Sequence, residues 1–327
     1  MSFKFIILFF LCVTISCENL THKVTLADKE LLEEAQNNFE AIPKTLIDKA
    51  KNAKLIELGR KLYFEKSMSK SGTISCNSCH MLDKFGVDNE VTSPGHDGRR
   101  GGRNSPTVYN AALHFSQFWD GRAKDLEEQA IGPILNPIEH GMVSEKEVLS
   151  KISSKYKQSF IQAFKDKDSF TYKNIGSAIG AFEKTLLTPS RFDDYLRGDV
   201  HALTSGERKG LRTFIEVGCV SCHNGAALGG NSYQKLGEMN SYETSDLGRY
   251  EVTKDEDDKY VFKVPSLRNI THTAPYLHNG SVDSLKKMIV IMGKHQLDED
   301  LNEQQVSDIE EFLKSLEAKS LPKISSN

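Results

Sequence analysis

Two short runs carry the most explicit chemistry in this chain: Cys76-Asn77-Ser78-Cys79-His80 and Cys219-Val220-Ser221-Cys222-His223. Thiols spaced by two residues can bond the two vinyl groups of one porphyrin, and the adjoining histidine then lies under the iron as its proximal ligand. Each run is an attachment signature for a c-type haem, so two runs mean two haems. Cysteine pairs that make a zinc ribbon sit within a few tens of residues of each other, whereas these runs begin 143 residues apart (76 to 219). A thioredoxin-like redox pair belongs in a βαβ setting, and neither run follows a strand-like apolar stretch.

Further candidates lie between the two runs. His96 stands in the glycine-rich loop Ser93–Gly102, where no regular element can persist. A histidine in such a loop can bind a metal and also leave it, although an isolated loop histidine is more often solvated. Trp119 is the only tryptophan, and its default place is the core. Gln129, Glu139 and His140 are expected in a loop punctuated by Pro133 and Pro137.

The elements that must position these residues are helical. Leu31, Leu32, Ala35 and Phe39, then Leu55, Leu58 and Leu62, recur at helical spacing between Lys29 and Phe64. Ile152, Tyr156, Phe160 and Phe164 form a second stripe within 144–187, Thr204 opens a helix to Val217 that delivers the second motif, and 301–316 is a closing amphipathic helix. A charged, hairpin-like stretch is expected near 254–263. Pro106-x3-Asn110 returns as Pro265-x3-Asn269, and Phe118-Trp119-x-Gly121-x4-Leu126 as Leu277-His278-x-Gly280-x4-Leu285, all at one offset of 159 (106 to 265). The expected fold is mainly α: two cytochrome c-like domains related by this internal repeat, with Trp119 and His278 in equivalent places.

At 327 residues the chain is long enough for two domains, and 38% hydrophobic with 27% charged residues is ordinary for a soluble protein. A formal net charge of −3 gives no sign of nucleic-acid binding. Lys4 precedes an apolar run from Phe5 to Val13, too short to span a bilayer and suited to a secretory signal. Thr14-Ile15-Ser16-Cys17 then resembles a bacterial lipoprotein signal with Cys17 as the lipidated first mature residue. Plain cleavage into the periplasm is the alternative. Of six cysteines, four belong to the haem motifs and Cys12 and Cys17 to the signal, which leaves none for a structural disulfide.

Over nearly the whole mature chain the sequence resembles the bacterial dihaem cytochrome c peroxidases. The resemblance rests on Ser75–His80, Gly95-His96, 103–108, 117–126, Leu267-Arg268-Asn269, Thr273-Ala274-Pro275-Tyr276 and Ile291-Met292-Gly293. It implies a signal peptide of lipoprotein type over 1–17, a tether over 18–28, a peroxidatic haem c domain over 29–188, an electron-transfer haem c domain over 189–320 and a tail over 321–327, with the haems near the domain interface. By this resemblance the haem on His80 meets peroxide and has His96 as its resting sixth ligand. The haem on His223 is an electron store with Met292 as sixth ligand; His295 is a rival for that place. A thioether opposite histidine raises the reduction potential, whereas two histidines keep it lower. Gln129 and Glu139 map to the peroxide pocket, with Glu139 as general base and then acid. Trp119 maps between the haems, and His278 near the edge of the second, where it can help electron entry. A calcium ion maps to Asn104 and the main-chain carbonyls of Thr273 and Pro275, oxygen donors that suit a hard cation. The implied partners are hydrogen peroxide and a small cytochrome c or cupredoxin donor, and family members are often homodimers.

Two other functions compete. A dihaem enzyme that oxidises a protein side chain, similar to the methylamine dehydrogenase maturation enzyme, uses a tyrosine on the second iron, and Met292 counts against it. A dihaem electron-transfer cytochrome would need neither Glu139 nor a displaceable His96.

Overall fold

The structure is a computed structural model that describes residues 24–324. The expected signal, Cys17 and most of the tether lie outside the described residues. The first helix, α1 (Leu26–Asn38), starts three residues earlier than the apolar pattern suggests, because Thr25 and Asp28 cap it reciprocally. It is followed by α2 (Ala53–Tyr63), the single turn α3 (Cys76–Cys79), α4 (Leu126–Leu135), α5 (Glu145–Phe164) and α6 (Tyr172–Glu183). Then come α7 (Arg191–Leu196), α8 (Ser205–Glu216), α9 (Tyr250–Thr253), α10 (Leu285–Met292) and α11 (Glu303–Lys314). Strand β1 (Tyr233–Lys235) pairs antiparallel with β2 (Val261–Lys263), Tyr233 opposite Lys263. The charged stretch near 254–263 is therefore not a local hairpin; its last three residues pair with a segment well upstream. None of the described helices is long and apolar enough to cross a membrane.

The apolar residues gather in two clusters. Leu58, Leu62 and Tyr63 of α2 pack with Ile152, Phe160 and Ile179 in one. Phe192, Leu211, Phe214, Ile309 and Phe312 form the other, where Phe192 and Phe312 meet edge to face at 5.2 Å. Each cluster is closed by a helix pair in glycine contact: a Cβ on Gly59 would lie 1.8 Å from the Ala178 carbonyl oxygen, and one on Gly210 would lie 1.9 Å from that of Asp308. Only glycine permits backbones to approach so closely. The termini cross over. Leu31 and Ala35 of α1 and Phe39 just after it pack into the second cluster, although the boundary at 29 assigns them to the first unit, while Leu321 and Ile324 pack against the first cluster.

The spacing of 159 residues reappears in the backbone. Asn110 and Asn269 both have φ near 61°, Phe118 and Leu277 have φ of 67° and 69°, and Gly121 and Gly280 have 67° and 65°. The two asparagines meet at one hydroxyl, since Asn110 Nδ2 donates to Thr188 Oγ1 at 2.7 Å and Asn269 Nδ2 donates to it at 2.9 Å.

A second buried polar contact fixes α7. Arg268 and Asp193 are fully buried and joined by two hydrogen bonds of 2.8 and 3.0 Å. Burial alone would raise the Asp193 carboxyl, but the Arg268 charge and N–H bonds from Ser190 and Ile42 hold it below the usual range. Its contribution is present above an unfolded carboxyl value of about 3.9 and is lost as pH falls through the lower folded value. Removing one partner strands a buried charge, so Arg268→Ala is expected to cost about 3–5 kcal/mol in denaturant unfolding. A change under about 1 kcal/mol would show that the pair does not hold α7.

Candidate functional site

The two cysteine-histidine motifs each border a cavity. In the first, Ser75 and Ser78 cap the single turn α3 reciprocally. That turn sets Cys76 and Cys79 on one helical face, which is what a three-residue step does. Burial raises both thiols, Cys79 to about 11, and does the same to Cys219, to about 12. The four motif cysteines form no disulfide with one another. His80 Nδ1 lies 2.9 Å from the Pro106 carbonyl oxygen, and His223 Nδ1 lies 3.1 Å from that of Leu228. Burial keeps both rings from protonating. Each therefore offers Nε2 to a metal while a carbonyl fixes the ring, the usual arrangement behind a histidine ligand. Paired thiols and an oriented neutral imidazole on the wall of one cavity fit a covalently held haem twice over.

Glu139 and Gln129 border the first cavity together with His80. Gln129 stands on α4 rather than in the expected loop; Pro133 lacks a donor N–H, and α4 ends only two residues after it, at Leu135. Asn136 then builds the turn: its side-chain oxygen accepts from the Ile138 N–H, and its Nδ2 donates to Glu139 Oε1 at 2.6 Å. Burial raises the Glu139 carboxyl, against the opposing Arg122 charge and the Asn136 bond. Arg122 borders the same cavity, lies 3.5 Å over the Phe118 ring and is held by Asp120 at 3.0 Å.

His96 is the expected site residue that the structure does not bring to this wall. Its N–H donates to the Glu139 carbonyl oxygen at 2.8 Å and its Nε2 lies 3.8 Å from Asp97. The ring fills the space over Gly141, where a Cβ would come within 2.2 Å of it.

Trp119 borders both cavities, as do Asn104 and Pro106. Its indole N–H donates to the Asn104 carbonyl oxygen at 2.9 Å. The second cavity joins His223 and Met292 with His278, Thr273 and Pro275. His295 is not on its wall; its Nδ1 lies 2.8 Å from the Asn240 carbonyl oxygen. His278 is stacked on Phe262 at 4.3 Å and lies 6.5 Å from Trp119. With 2% exposure it does not itself reach the surface. The Asn104 amide nitrogen donates to the Glu90 carbonyl oxygen at 2.9 Å, so the amide oxygen is the atom left for a cation. The described residues hold no cluster of three His, Cys, Asp or Glu that could take a metal, and a cation here would rest on amide and carbonyl oxygens.

Three residues of these walls were not singled out from sequence. Arg103 ties the two halves by binding Asp120 and, at 2.7 Å, Asp246. Like Arg122, it stands inside a stretch that carries the family resemblance and could have been read there. Glu183 ends an apolar helix and borders the first cavity, where burial pushes its carboxyl up to about 8; a carboxylate closing an apolar run was the available signal.

A largely helical chain with two motif-lined cavities and one shared indole is of the dihaem cytochrome class. Residues 53–201 match the family described as di-haem cytochrome c peroxidase. The chain is 48% identical over 271 residues to the cytochrome c551 peroxidase of Nitrosomonas europaea, covering 81% of this chain and 80% of that one. It is 45% identical to the Pseudomonas aeruginosa protein of the same name, covering 80% and 78%. A solved structure titled a MauG-like protein associated with microbial copper homeostasis superposes with a TM-score of 0.77 at 28% identity, covering 87% of this chain and 97% of that one. The chain belongs to the bacterial di-haem cytochrome c peroxidase family. It is a haem peroxidase, an oxidoreductase with two c-type haems.

Proposed function

We propose that this enzyme reduces hydrogen peroxide to water at the haem on Cys76, Cys79 and His80, with electrons stored at the haem on Cys219, Cys222 and His223. The single observation that carries this reading is the shared wall: Trp119 borders both cavities, with Glu139 on one and Met292 on the other. When bound, the first haem supplies the metal that takes peroxide and the second supplies an electron. The protein's own residues do the rest. Glu139 takes the proton from the near peroxide oxygen and returns it to the far one, so that water leaves. Arg122 and Gln129 border the same space and orient the substrate. His80 and His223 would hold the two haem irons, Met292 would be a further ligand to the second, and Trp119 would couple the two. Asn104, with the carbonyls of Thr273 and Pro275, holds a calcium ion between the domains, and a small cytochrome c or cupredoxin delivers the electrons.

The two haem c domains in this reading are an internal repeat, which the recurrence of backbone angles at 159 residues supports. Their chain boundary falls near Thr188, with α1 completing the second unit. Export to the periplasm and lipidation at Cys17 belong to the same reading and follow from the signal-like stretch Lys4–Cys17, and a homodimer follows from the family resemblance alone.

His96 closes the resting first haem in this reading, and its place over Gly141 is the open position. The test is peroxide turnover by fully oxidised protein against protein reduced by one electron, with the spin state of the first haem read alongside. Activity with a five-coordinate first haem only after reduction supports the gate; equal activity removes the gate and keeps the peroxidase; no turnover in either leaves an electron carrier. Gly141→Ala is expected to deny His96 its open seat, because the added methyl would meet the imidazole and φ there is +73°. At about 1–3 kcal/mol for overpacking, turnover after reduction should fall about tenfold or more, and the first haem should stay six-coordinate. Unchanged spin-state spectra would place the open seat elsewhere.

A further inference from the structure

A lysine stands on the wall of the second cavity with no acid beside it among the described residues. Lys263 is 7% exposed, and among the described residues its only side-chain partner is His114 Nδ1 at 3.2 Å. Its register opposite Tyr233 and a bond from its N–H to the Trp119 carbonyl oxygen at 2.7 Å fix it at the inner end of β2. His114 borders the same cavity, held against Gly230, where a Cβ would come within 2.3 Å of the ring. Its Nε2 is buried with no hydrogen-bond partner. Two basic groups thus face one cavity, and no carboxylate of the described residues acts on either.

A buried cation is stable only when paired. The missing partner must be an anion inside the cavity. Haem carries two propionate carboxylates, and the cavity is that of the second cysteine-histidine motif. We propose that Lys263, assisted by His114, is the counter-cation for a propionate of the haem held by Cys219, Cys222 and His223, and so sets that haem's reduction potential. Burial alone pulls the Lys263 ammonium down to about 8; a carboxylate beside it restores the charged form. A fixed positive charge next to the porphyrin disfavours the oxidised iron, so it raises the potential of the haem that stores the electron.

The proposal rests on the placement of the second haem given above, and the test separates the two. Both midpoint potentials are measured by spectroelectrochemical titration of the full two-haem protein, for wild type, Lys263→Met and Lys263→Arg. Lys263→Met is expected to lower the second midpoint by 59 mV or more, a tenfold shift in a one-electron equilibrium, with a smaller change at the first and recovery of at least half the loss in Lys263→Arg. An unmoved second midpoint, equal shifts at both haems, or no recovery with arginine overturns the assignment. Wild-type protein gives a check that needs no variant to fold. In the one-electron-reduced form the propionate bending band in the resonance Raman spectrum shifts in heavy water if an N–H holds the carboxylate, and an unshifted band overturns the proposal. A protein showing one midpoint only would refute the two-haem placement itself.

Discussion

Glu139→Gln is expected to cut peroxide turnover by roughly 10²–10⁴-fold, the range for loss of a positioned acid-base group, while both haem spectra stay as in wild type. The substitution keeps the side-chain shape and the contact to Asn136 but removes the group that can take and return a proton. The pH profile should carry the same signature. A base works when deprotonated, and burial outweighs the Arg122 charge to raise the Glu139 carboxyl. Activity is therefore low below that raised value and appears as pH rises through it. Arg122→Gln takes away an influence that lowers it, so the acid limb of kcat/KM should move to higher pH. A limb that stays put in Arg122→Gln and persists in Glu139→Gln would assign it to another group, such as Glu183 on the same wall.

Met292→His should disable the enzyme from its other end. Two histidines hold a haem at lower potential than histidine with methionine. Each 59 mV of lowering costs about tenfold in the fraction reduced by a given donor, so a drop of ~120 mV would cost about a hundredfold. Steady-state turnover with a reduced small cytochrome should fall accordingly, whereas chemically pre-reduced protein should still complete one turnover. His295→Ala is the control. Its ring is committed to the Asn240 and Ser241 carbonyl oxygens away from the cavity, and the second midpoint should not move. If the histidine variant behaves as wild type and His295→Ala does not, the ligand assignment is reversed.

The residues legible in the sequence were those whose chemistry fixes their spacing. A porphyrin's two vinyl groups demand the Cys-x-x-Cys-His step, so both motifs stood out, and the spacing of 159 residues in the sequence returns in the backbone angles at Phe118 and Leu277. Helices with a polar cap and an apolar stripe, such as α8 with Thr204 and Glu207, were equally plain. What was hidden depended on the third dimension. Nothing in the pattern of α1 says which apolar cluster its stripe will cover, since Leu31, Ala35 and Phe39 would suit either. Lys263 reads as an ordinary polar residue of a short strand until β1 and Trp119 turn it inward. His96 was read as a loop residue able to bind and release a metal; its seat on Gly141 could not be read, because the two lie 45 positions apart (96 to 141).

The crossing of the chain ends has a consequence for how such a molecule can be divided. The helix that opens the described chain seals the core built by residues 192–316, and the segment after α11 seals the core built by residues 58–186. A cut near Thr188 would leave each piece with an apolar face bared where the other's end belongs. The two cores are clasped by the ends of one chain rather than strung along it.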